Sequence, residues 1–77
     1  MKINLDKVRL KRIDLGFSQE YIAESLGISQ AQYSRLERGS VEFTIDILGK
    51  LIILLEINPM EVFIFSHQVK NLMKAKR

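Results

Sequence analysis

Cysteine is absent from this chain of 77 residues, histidine occurs once (His67) and proline once (Pro59). Without cysteine there is no disulfide framework, no thiol nucleophile and no thiolate metal site, and one histidine makes no cluster at zinc spacing. His67 therefore reads as a surface histidine, and no metal or cofactor is expected. Long apolar runs are missing too. The longest, "LIILL" from Leu51 to Leu55, is far too short to cross a bilayer, and the start "MKINLDKVRLKR" lacks the apolar core of a secretory signal. The expectation is a cytoplasmic protein with no membrane association. Hydrolytic chemistry would need paired carboxylates, a metal cluster or a nucleophile with its base, and none stands at a usable spacing, so an enzyme is not expected.

What is present suits a small helical domain. Hydrophobic residues make up 47% of the chain and charged residues 27%, a globular rather than a disordered composition, and the length allows one domain at most. The net charge of +3 is unevenly spread. Lys2, Lys7, Arg9, Lys11 and Arg12 stand at the start and Lys70, Lys74, Lys76 and Arg77 at the end, while Glu42, Asp46, Glu56 and Glu61 make the stretch between Val41 and Phe65 acidic. Basic ends suit a polyanion or an acidic partner, and they also suit plain solvation.

Helix signals recur along the chain. A first helix is predicted from Leu5 to Leu15, broken by Gly16; Ser18 is the N-cap of a second that ends before Gly27. Ser29 with Gln32 three residues on fits a capping box, opening a third helix that stops at Gly39. Thr44 caps a fourth from Ile45 to about Leu55, apolar almost all round and so assigned to the core. Asn58 and Pro59, with Glu61 closing a second box, start a fifth that runs to at least Phe65. No strand pattern competes.

The second and third helices form the telling pair. Ala23 is small where two helices must approach, Gly27 supplies the positive φ that turns the chain within about three residues, and Ile22, Leu26, Ile28 and Leu36 are apolar pins between them. An ordinary helical hairpin would share the glycine without needing the small residue four positions earlier. At about 100° per residue, Tyr33, Leu36 and Glu37 share one side of the third helix. Gln30, Ala31, Ser34, Arg35 and Arg38 share the other, with Gln32 on the border. Such an outer face is either merely wet or a reading surface, since glutamine can bond adenine, arginine can bond guanine, and alanine can approach a thymine methyl. Arg12 falls in the apolar stripe of Leu5, Val8 and Leu15, and Glu37 beside Tyr33. Burying either alone would cost several kcal/mol, so the economical reading pairs them across helices one and three; the alternative is that Arg12 snorkels out to solvent.

The runs "LKRIDLGFSQEYIAESLGISQAQYSRLERG", "TIDILGKL" and "INPMEVF" resemble, in register, the Xre/Cro type of helix-turn-helix, the lambda repressor-like domain. The resemblance covers about Leu5 to Phe63. It implies a compact all-α fold of five helices with the helix-turn-helix formed by helices two and three. The domain would span residues 1–66, with a basic, helical or tail-like extension over 67–77. It also implies base reading by Gln30, Ala31 and Arg35, phosphate or flanking contacts by Ser18, Gln19, Gln32, Ser34 and Arg38, and an internal salt bridge between Arg12 and Glu37. The chain departs from the family where a basic loop usually follows the third helix, reading "SVEFT" instead. Tyr33 stands for the usual branched aliphatic pin, and Glu56 for the glycine that ends helix four.

The functional expectation is a sequence-specific regulator that binds double-stranded DNA as a homodimer on a palindromic operator, each third helix in a major groove. The apolar end places Val62, Phe63 and Phe65 at the dimer interface, with Val69, Leu72 and Met73 as a further edge. In so short a chain no small-molecule effector is expected. The alternative is a protein-interaction module, antitoxin-like or an adaptor, in which DNA binding is weak or secondary.

Overall fold

The computed structural model describes residues 2–64 of the chain. Five helices, α1 (Leu5–Asp14), α2 (Gln19–Leu26), α3 (Gln30–Arg38), α4 (Ile45–Leu54) and α5 (Pro59–Val62), lie between two short strands, β1 (Lys2–Ile3) and β2 (Phe63–Ile64). Each helix starts on a side-chain cap: Asn4, Ser18, Ser29, Thr44 and Asn58 accept from backbone N–H groups of the first turn. These caps satisfy donors that a helix cannot pair internally.

The helix ends obey one rule with one exception. After α1, α2, α3 and α4 the chain closes a paired 5→2 and 6→1 hydrogen-bond motif, as in Gly27 N–H to Glu24 and Ile28 N–H to Ala23. The motif demands a left-handed residue. Gly16, Gly27 and Gly39 supply it with φ of 77°, 75° and 82°, whereas after α4 the place is held by Glu56 at φ 54°. A side chain there costs about 1–2 kcal/mol. The turn survives because Ile57, the next residue, is buried and anchored by its N–H to Ile52.

The core draws on every helix. Val8, Ile22, Tyr33, Leu51, Leu55 and Val62 are wholly buried, with Ala23, Leu26 and Ile57 among them. Helices α2 and α3 pack on each other more extensively than any other pair of elements, and Ala23 of α2 is buried.

Three expectations from the sequence are corrected. Helix α4 is not sealed all round: Leu48 and Leu51 are buried, but Ile45 is 87% and Ile53 79% exposed. So small a domain covers only one face of its fourth helix. The last helix stops at Val62, and Phe63 turns to extended backbone at φ −102°, ψ 144°. There Phe63 and Ile64 pair antiparallel with Ile3 and Lys2, a pairing supported by the Asn4 N–H donating to the Val62 carbonyl at 2.7 Å. An apolar run this short fits helix or strand equally by pattern, and the partner strand decides. Val62, expected at a dimer interface, is 0% exposed and belongs to the protomer's own core. Phe63 is half-buried against that core, while Phe65, Val69, Leu72, Met73 and the expected extension over 67–77 lie outside the described residues.

Replacing Glu56 by glycine should raise stability by about 0.5–1 kcal/mol, the relief of the left-handed side chain exceeding glycine's unfolded-state entropy. Gly39→Ala should lower it by about 1–2 kcal/mol, because a Cβ there also meets Leu5 Cδ1 at 2.9 Å. Paired urea titrations check both signs.

Candidate nucleic-acid interface

The turn between α2 and α3 is Gly27, Ile28 and Ser29. Ser29 Oγ accepts from the Gln32 N–H at 3.1 Å and Gln32 Oε1 accepts from the Ser29 N–H at 2.9 Å. This reciprocal box fixes the start of α3, and with it the direction in which its first residues point.

The buried side of α3 is pinned by three residues. Tyr33 is fully enclosed and Leu36 nearly so. Glu37, whose side chain is 3% exposed, meets Arg12 of α1, 11% exposed, in a fork. Arg12 Nε donates to Oε2 and Nη2 to Oε1, both at 2.9 Å, while Nη1 donates to the Phe17 carbonyl at 2.8 Å. Gln19 Nε2 of α2 donates to the same carboxylate at 3.2 Å. The planar guanidinium suits this bidentate geometry in a way a lysine would not. Arg12 and Glu37 thus join α1, the corner after it, α2 and α3 in one network.

The electrostatics follow from that geometry. Burial pushes the Glu37 carboxyl up, but the hydrogen bonds it accepts, led by Arg12, outweigh it and hold the group below the usual carboxylate range. The Arg12 guanidinium is raised, chiefly by its hydrogen bond to Glu37. Tyr33 is pushed well above the ordinary phenol range by burial and by the nearby Glu37 charge. Its hydroxyl lies within electrostatic reach of that carboxylate yet makes no hydrogen bond to it, and among the described residues it has no partner.

The other side of α3 is open. Gln30, Ala31, Gln32, Arg35 and Arg38 are exposed, and Ser34 is half-buried. Ser18 is exposed and engaged in capping α2, and Gln19 beside it is half-buried. Gln30, Ala31 and Arg35 share the outer arc of α3, while Gln19 of α2 is bonded to Glu37 on its buried side. The sequence did not reveal that bond, nor the open groove of about 210 Å³ beside Arg35 and Gln32, lined by Ile28, Leu36, Val41 and Ile47. Exposed aliphatics in a polar loop, such as Val41, were the available signal. Among the described residues no group of acidic, histidine or cysteine side chains could hold a metal ion, and no helix is long and apolar enough to cross a membrane.

A helix-turn-helix family profile matches residues 8–62 of the chain. The chain belongs to the helix-turn-helix family of the Xre/lambda repressor type. It is, at that level, a DNA-binding regulator with the all-α fold of its family. No individual curated protein and no solved structure matches the chain.

The helix-turn-helix pin has a pH signature. Because Glu37 titrates lower folded than unfolded, its stabilisation is complete above its ordinary pKa of about 4.3 and fades as pH falls through the folded value. Glu37→Gln should lower stability near neutrality by about 3 kcal/mol, leaving Arg12 buried and unpaired, and should flatten the loss below about pH 4. Denaturant midpoints from pH 7 to pH 2 measure both effects.

Proposed function

We propose that this helix-turn-helix chain is a sequence-specific transcriptional regulator that binds double-stranded DNA as a homodimer on a roughly palindromic operator. The observation that carries the proposal is the exposure of Gln30, Ala31 and Arg35 on one arc of a helix whose opposite arc is fixed by Tyr33, Leu36 and Glu37. A helix docked this firmly can enter a major groove without losing its own orientation, so little ordering is required when it binds.

Each side chain has a role set by its chemistry. Arg35, as a fork of donors, would read guanine O6 and N7; Gln30 would read adenine N6 and N7; Ala31 would leave room for a thymine methyl. Gln19 donates one amide hydrogen to Glu37, and the second would meet a phosphate, setting the start of α2 against the backbone. Ser18, Gln32, Ser34 and Arg38 would contact phosphates or flanking bases. Phosphate contacts then supply affinity and register, and base contacts supply choice. A twin protomer would place the second α3 one helical turn along, about 34 Å away.

A second reading, a protein-interaction module of antitoxin or adaptor type, draws support from the apolar groove beside Arg35 and from Glu42 in the loop that follows α3. Selection from a random duplex pool separates the two, because an interaction module enriches no sequence.

On a selected site, Arg35→Ala should cost about 1–3 kcal/mol and relax preference at one base pair, whereas Gln19→Ala should weaken binding to all sequences alike. Binding isotherms at fixed salt against the site and its single-base variants check both; an Arg35 variant as selective as the parent would overturn the assignment.

A further inference from the structure

Helix α4 carries an apolar stripe that its own domain leaves uncovered. Ile45, Gly49 and Ile53 are spaced four apart, so they follow one face, and the two isoleucines are the most exposed large apolar residues among those described. Between them Gly49 is helical, and a Cβ added there would meet nothing within 4 Å. Helix propensity does not explain a glycine in mid-helix, where it costs about 1 kcal/mol relative to alanine; a backbone kept bare for close approach does.

We infer that this face is the contact with a second copy of the chain, two α4 helices crossing antiparallel at Gly49 about a two-fold axis. The inference rests on the dimer proposed above and gives it a location. Three features fit a second copy of the same surface. Ile45 and Ile53 stand at equal heights, about 6 Å, below and above Gly49, so each meets the other's partner across the axis. A two-fold axis also sets each edge of α4 against the same edge reversed. Asp46 and Lys50 share one such edge, paired within the helix at 3.3 Å; reversal sets each Asp46 about 3 Å along the axis from the twin's Lys50, with the two Lys50 residues meeting beside the axis. The edge therefore carries both signs, and the two Asp46 carboxylates offset the two lysines, as a like-charged edge could not. Finally, Ile47 lies about 160° round the helix from Gly49, lining the groove beside Arg35. The contact therefore uses the face of α4 turned away from the recognition helix. A single pair of short helices covers less than the roughly 1,200 Å² of a standard stable interface, so the free dimer is weak and DNA consolidates it.

The test uses the full chain, whose sequence has no cysteine. Lys50→Cys, an exposed position one residue from the crossing that leaves Gly49 bare, is expected to give a covalent dimer with a short thiol-bridging reagent, faster in the presence of a selected duplex, and Ile53→Glu in the same chain should abolish it. Asp46→Lys should weaken self-association by about tenfold or more, and adding Lys50→Asp should restore it. Circular dichroism confirms that each variant stays folded, as expected for exposed positions. If sedimentation shows a dimer but Lys50→Cys gives no cross-link and the charge variants change nothing, the α4 contact is wrong while the dimer stands. If the chain is a monomer at every concentration and binds a single half-site, the contact and the dimer both fall, while sequence-specific binding by α3 remains.

Discussion

A single buried ion pair constrains the rest of this molecule. The Arg12 guanidinium spends its donors on the Glu37 carboxylate and on the Phe17 carbonyl, and Gln19 adds a further bond to the carboxylate. Such a pair contributes little net stability, because removing two charges from water nearly cancels their attraction. Its effect is positional. Only one placement of α1, α2 and α3 leaves neither charge unpaired, so the orientation of α3 is fixed by a penalty on every alternative rather than by apolar packing alone. A purely apolar contact would tolerate small rotations of α3, and the outer side chains would swing with them.

That division of labour frees the outer arc of α3. Gln30, Ala31 and Arg35 make no contribution to the core, which is closed by Tyr33 and Leu36 on the opposite side. The face can change its chemistry without disturbing the fold. The same separation holds along α4, where Leu48 and Leu51 face inward and Ile45 and Ile53 face out.

Most of the frame was legible in the sequence because it is written in local signals. Ser18, Ser29, Thr44 and Asn58 mark helix starts by the hydrogen bonds they alone can make, and Gly16, Gly27 and Gly39 mark ends by the backbone they alone adopt cheaply. The Arg12–Glu37 pairing was legible because a charge in an apolar stripe demands a partner. What escaped is what depends on distant chain. The strand at Phe63 exists because Lys2 and Ile3 lie beside it, and no local pattern in "VFIF" states that. Val62 looked like surplus apolar surface because the space it fills belongs to elements far off in sequence. The exposure of Ile45 and Ile53 depends on which side of α4 the rest of the domain covers. Glu56 shows the reverse limit, a residue against its own propensity held by the burial of its neighbour Ile57.

The central claim is that α3 meets DNA with its outer arc while the network behind it stays shut. Amide and arginine Nε–H nuclear magnetic resonance of the chain during titration with a selected duplex tests it most directly. The account predicts shifts concentrated at Gln19, Gln30, Ala31 and Arg35, with the Arg12 Nε–H remaining protected from solvent exchange throughout. Shifts confined to other faces, or loss of that protection as the complex forms, would contradict it.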